Sequence, residues 1–381
     1  GAQADLNAKV ELPGAYPADS VKTLEYSPAL CNAAAGGHVQ TAELLLNEGA
    51  QVSSHGGLSP LHMAALHGQD DVFNLLLKRG AKITTDKYVT RMEETAGIDL
   101  LCCAVRGGNV AIFEQVIETW PATWVTDEAC SDMYSFYKGR WPLAVAVSAD
   151  HTSLVEYMLS EEEFREHPRR ALALNHALAT AVETDRADMV ALLHEAGASL
   201  DDPLAAPSPG TENAGQSVAI RAAAHGSLNV LRYLVEQGVE VDQRDQQGRT
   251  LLHRVCSKQF SVRTGWYADK PTRMALIRGL IELGASPNAK DDMGRTILHD
   301  AVFHLEPEEI SLLIDHRATP MAHDASGESP AAFAQRLLAG NYRDDGEKMP
   351  WGKGFAEGPK EHPHHLWRER IRLEGNLKAL Q

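Results

Sequence analysis

The 381-residue chain holds 17 histidines, the side chain best suited to acid–base exchange and metal ligation near neutral pH. His362, His364 and His365 lie in EHPHH, but Pro363 interrupts them and no distant cluster matches them, so a solvated tail segment is expected rather than a metal site. Asp150-His151, with Glu156 close in sequence, has the composition of an acid–base pair. Cys31, Cys102, Cys103, Cys130 and Cys256 are odd in number and lack zinc-type spacing. They are expected to be small buried thiols in a reducing compartment. No GxSxG, P-loop, HExxH or GxGxxG pattern occurs, so the common hydrolase, nucleotide and zinc-protease mechanisms have no sequence support. No catalytic residue, metal or cofactor is assigned. A pocket assembled from distant segments would leave no such motif and stays open as an alternative.

Composition narrows the partner. The formal charge is −16, from 52 acidic and 36 basic residues, which argues against a grip on nucleic acid or on an anionic membrane. No run of 18 apolar residues occurs, and Gly1 to Leu12 lacks the basic-then-apolar order of a secretory leader. The expectation is a soluble intracellular protein, cytoplasmic or nuclear. Hydrophobic residues at 44% supply ample core material.

The elements that would position any site follow from one segment, GGLSPLHMAALHGQDDVFNLLLKRGAKI at 56–83. Ser59 can cap a helix whose first position is Pro60, where a missing N–H costs nothing. Leu61, Ala64 and Ala65 follow at helical spacing, with the alanines small enough for a neighbouring helix to approach. Gly68 ends that helix, Val72, Leu75 and Leu76 line one face of a second, and Gly80 closes the unit. Copies are marked by the second small residue of each first helix, at Ala34, Ala65, Val105, Val147, Val182, Ala223, Cys256, Val302 and Gln335. A unit of about 33 residues with insertions is implied.

This pattern resembles the ankyrin repeat. CNAAAGGHVQTAELLLNEGA at 31–50, RAAAHGSLNVLRYLVEQGVEV at 221–241, GRTLLHRVC at 248–256 and GRTILHDAV at 294–302 match it well. The resemblance implies an all-α solenoid of about nine stacked helix-turn-helix repeats with β-hairpin fingers. It also implies that His62, His253 and His299 hydrogen-bond backbone within their turns, and that His151 matches the histidine of a Gly-His dipeptide like Gly37-His38. The acid–base reading of His151 is thereby set aside.

Three regions are expected: an irregular N-terminal cap at 1–26, the array at 27–340, and a C-terminal extension with a capping helix at 341–381. Insertions interrupt the array at 85–99, 120–141, 203–217 and 257–272. The second holds Trp120, Trp124, Tyr134, Phe136, Tyr137 and Trp141, six of the 23 aromatics. These read equally as a finger packed on its neighbours and as an amphipathic contact surface.

In proteins similar to this one, partners are held by finger residues and by the exposed end of each first helix. Matching the repeats places Leu58, Leu66, His67, Arg106, Tyr137, Arg140, Trp141, Ser148, His225, Arg249, Lys258, Arg295, Phe303 and His304 on that face, with Ser257 beside Lys258. Five are basic in an acidic chain, a lining suited to an acidic peptide or a carboxylate-bearing small molecule. The reading is a protein-interaction scaffold. The alternative is an enzyme or small-molecule-binding protein with a pocket between the finger insertions and the central repeats.

Overall fold

The computed structural model describes residues 28–52, 59–83, 100–119, 124–125, 141–201, 204, 217–245, 247–256, 270–338 and 374–381. Contacts divide the chain into two compact units, residues 1–184 with 188–215, and residues 185–187 with 216–381.

In the first unit the inner helices are α1 (Pro28–Ala35), α3 (Pro60–Leu66), α5 (Leu100–Gly107), α7 (Pro142–Ser148) and α10 (Arg170–Glu183). Each packs on the next. Ala34, Ala64, Ala65, Ala104, Ala146 and Ala181 are all fully buried there, because only small side chains let successive helices approach. The outer helices are α2 (Val39–Asn47), α4 (Asp70–Lys78), α6 (Val110–Thr119), α8 (Thr152–Ser160) and α11 (Ala187–Glu195), with a short α9 (Glu162–Glu166) after α8. Their apolar stripes, such as Val72, Phe73 and Leu76 of α4, are also fully buried. At α3 the expected start is realised: Pro60 is the first helical residue and Ser59 Oγ accepts from His62 N.

The second unit repeats this with inner helices α12 (Val218–His225), α14 (Leu251–Cys256), α16 (Ile297–His304) and α18 (Pro330–Leu338). Its outer helices are α13 (Leu228–Glu236), α15 (Lys270–Glu282) and α17 (Pro307–Asp315). Here the fingers are visible, and no strand occurs in them among the described residues. The expected β-hairpins are turns wound around an aspartate. Asp245 Oδ1 accepts from Gln247 N and Arg249 N, Asp291 Oδ1 from Met293 N and Arg295 N, and Asp324 Oδ1 from Ser326 N and Glu328 N. Each carboxylate satisfies two amides that strand pairing would otherwise need to engage. Successive fingers are joined by one backbone bond each, Asp292 N to Gln247 O and Ala325 N to Met293 O.

The aromatic insertion departs from an exposed contact surface wherever it is described. Trp124 is 1% exposed, stacked on Phe164 at 5.7 Å and edge-on to Phe113 at 5.7 Å, with its indole N–H donating to Glu163. It fills the layer of outer helices formed by α6 and α9. Trp141, at 3% exposure, caps α7 and stacks on His176 of α10. Both rings are packing elements, since burial of so large a side chain outweighs what a solvent-facing role would gain. Trp120, Tyr134, Phe136 and Tyr137 lie outside the described residues, as do most of the other insertions, residues 1–27, Cys130 and EHPHH. Cys31, Cys102, Cys103 and Cys256 are buried, and burial pushes the Cys31 thiol up to about 12.

Candidate functional site

The fingers and inner helices of the second unit bring the charged side chains together. Thr250 and Thr296 begin α14 and α16, and each bonds the histidine three residues on: Thr250 N donates to His253 Nδ1 and Thr296 N to His299 Nδ1. The opposite ring nitrogens donate to the next finger, His253 Nε2 to Arg295 O at 3.2 Å and His299 Nε2 to Glu328 O at 3.1 Å. Both rings must be neutral for this arrangement. Burial lowers the pKa of each, and that of His62 in the first unit to about 4. The expected structural role of these histidines is what the geometry shows.

One position further along, four residues after each Ser or Thr cap, Ser217, Thr250 and Thr296 are followed by Arg221, Arg254 and Asp300. They occupy equivalent places on successive inner helices, where the first unit has Met63. Arg221 is fully buried and Asp300 is 3% exposed. Arg254 pairs with Asp245, and Arg295 forks onto Asp291 through Nε at 3.2 Å and Nη2 at 3.0 Å. Burial raises Asp245, but the amides of Arg249 and Gln247 and the charge of Arg254 together hold it below its ordinary value. Asp300 behaves oppositely. Burial dominates over the nearby Arg295 and Arg249, pushing it up to about 6, and its Oδ2 has no hydrogen-bond partner. A buried carboxylate near neutrality between guanidinium groups is the most perturbed acid of this surface.

Of the residues expected to line a partner face, His67 and Ser148 are exposed, and Leu66, Arg106, His225, Arg295 and His304 are half-buried. Ser148 turns its hydroxyl onto Val145 O, and the Arg106 carbonyl accepts from His151 Nε2 at 2.6 Å, which makes His151 a strut between α5 and α8. Two residues are not at the surface: Trp141, for the reason above, and Arg249, which is 4% exposed. Leu58, Tyr137, Arg140, Ser257 and Lys258 lie outside the described residues, as does the side chain of Phe303. Arg221, Arg254 and Asp300 were not among the expected residues, although a charge recurring four residues after the cap was visible in the repeats.

Stacked helix pairs with small inner-helix residues, joined by short fingers, define a helical-repeat solenoid. Residues 10–87 match the family model described as ankyrin repeats (3 copies), and residues 219–263 match that described as ankyrin repeats (many copies). These two stretches carry ankyrin repeats, and the described helix pairs have an all-α ankyrin-repeat solenoid fold. The first match begins at residue 10, ahead of the array start expected at 27. Among curated proteins, the transient receptor potential cation channel subfamily A member 1 homolog of Caenorhabditis elegans is 25% identical over 198 residues. That match spans 52% of this chain and 14% of the relative's length. Among solved structures, the human ASB11 ankyrin repeat domain is similar at 23% identity and a TM-score of 0.43, over 68% of this chain and 99% of that one. Ankyrin repeats as a class are protein-interaction modules. Among the described residues no helix is long and apolar enough to cross a membrane.

Proposed function

We propose that the chain is an interaction scaffold whose finger and inner-helix edge binds a protein or peptide through an acidic segment. The observation that carries this is the pair of partly exposed guanidinium groups on the second unit, Arg254 and Arg295, with the buried Arg221 and Arg249 adding positive charge to the same unit, in a chain whose net charge is −16. Asp245, Asp291 and Asp300 oppose them, and the raised pKa of Asp300 weakens that opposition as pH approaches 6. Arg254 and Arg295 keep 21% and 14% of their side chains exposed, so a carboxylate can reach them without unfolding a finger. In the first unit His67, Arg106 and Ser148 offer the corresponding inner-helix ends. By repeat position in the sequence, Lys258 belongs to this edge in the second unit and Arg140 to the corresponding edge in the first, with Tyr137 in the insertion at 120–141.

The test is affinity capture with the wild-type chain and with Arg254→Gln plus Arg106→Gln, at low and high salt. The double substitution is expected to lower recovery of the bound partner at least tenfold, with salt doing the same to the wild type. Equal recovery from both chains, insensitive to salt, contradicts the reading.

A further inference from the structure

Among the described residues, six turns between an inner and an outer helix contain a residue with positive φ: Gly37, Gly68, Gly108, Asp150, Asp185 and Gly226. At four of them its N–H closes the inner helix by bonding the repeat's marker carbonyl, Gly37 to Ala34, Gly68 to Ala65, Asp150 to Val147 and Gly226 to Ala223. Repeat eight has no such residue. Its inner helix α16 ends at His304, Leu305 is extended (φ −100°, ψ 163°), and Pro307 opens α17 without an N–H. The Glu306 amide is held by the Glu309 carboxylate at 2.9 Å, and Arg273 fixes that carboxylate with bonds of 2.6 and 2.9 Å. No local donor is left for the carbonyls of Val302, the marker, and Leu305.

The donor comes from more than seventy residues away. Asn376, fully buried in a short helical segment at 374–379, directs its side-chain N–H₂ to Val302 O at 3.0 Å and Leu305 O at 2.9 Å. Leu380, one turn on, is 5% exposed. Gly375 lies so close to Pro307 that a Cβ there would fall 2.6 Å from the proline Cγ. The carboxamide oxygen of Asn376 is buried and without a partner, which penalises the contact. The occupant therefore satisfies the site's two acceptors while leaving its own acceptor unmet.

We propose that the end of α16 is a docking site for a short helical segment that presents a primary amide with a leucine one turn further on, filled here by the chain's own residues 374–381. The site is built: two backbone carbonyls are aimed at one point, and a proline surface admits only glycine beside the amide. The occupant is tethered, so it holds the site at an effective concentration on the order of millimolar, and its unpaired oxygen weakens that hold. Release uncovers the same inner-helix end that carries His304.

A fluorescein-labelled synthetic peptide of residues 365–381 tests this against the full-length chain and two full-length variants, Asn376→Ala and Gly375→Val. Both substitutions lie in the segment and leave every repeat side chain in place. The peptide is expected to bind each variant at least tenfold more tightly than wild type, whose site is filled. The same peptide with alanine at position 376 should bind the variants at least tenfold more weakly than the native peptide. Equal binding to all three chains, or none to variants whose thermal melts match wild type, overturns the proposal. Loss of the folded state in both variants also overturns it, since the segment would then be part of the core.

Discussion

Repeat two closes its inner helix with Gly68, whereas repeat eight closes it with Leu305, Glu306 and Pro307. In the first case one left-handed residue aims an amide at the Ala65 carbonyl, and the inner helix is closed by its own turn, with Asn109 of the next repeat donating to the Gly68 carbonyl at 3.1 Å. In the second, the Leu305 amide is taken by the Ala301 carbonyl, a capping box takes the Glu306 amide, a proline removes the next, and the helix end is satisfied by Asn376. Local closure of the inner helix thus accompanies a left-handed residue at four of the six described turns that have one. Where it is missing, the terminus becomes an acceptor site that some other segment must fill.

Breaking each turn separately measures the difference. At repeat eight, Arg273→Ala leaves the fully buried Glu309 carboxylate without its counter-ion, and a loss of about 3–5 kcal/mol in urea unfolding is expected. At repeat two, Gly68→Ala places a Cβ 2.8 Å from the Gly107 carbonyl at φ +65° and should cost about 2 kcal/mol by the same measurement. If the order were reversed, repeat eight would not depend on its charged pair.

The smallest expected effect separates the repeats by pH. His62 is lowered to about 4, so between pH 6.5 and 4 the unfolded chain binds more protons, and stability falls as pH falls through that window. Asp300 is raised to about 6 from 3.8. The folded chain there binds more protons than the unfolded one, so this group's contribution weakens as pH rises from about 4 to 6 and its cost is complete above 6. Asp300→Asn should therefore stabilise the chain by about 1–2 kcal/mol at pH 7.5 and by little at pH 4. Denaturant midpoints at the two pH values check the sign, and an equal effect at both would remove burial of the charge as the cause.

Legibility follows the range of the interaction. The Ser59-Pro60 start of α3, the alanines of the inner helices and the glycine stops are local and could be read directly. The neutral state of His253 could not, because its second partner, the Arg295 carbonyl, belongs to the next finger and becomes visible only through the family resemblance. Trp124 and Trp141 were ambiguous for a different reason. An aromatic-rich insertion has the same composition whether it faces a partner or fills the space against α6, α9 and α10. Fingers read as β-hairpins because the aspartate that satisfies each turn does so in place of strand pairing. Asn376 lay beyond any local argument, although the absence of a left-handed residue before Pro307 was already written in HLEPEEI.

Amide hydrogen exchange of the full-length chain and its Asn376→Ala variant tests the contrast between the two turns most directly. Residues 374–381 and the α16–α17 turn should exchange at least tenfold faster in the variant, with peptides spanning the Gly68 turn unchanged. Undiminished protection of 374–381, or acceleration spread evenly over both turns, would contradict the account.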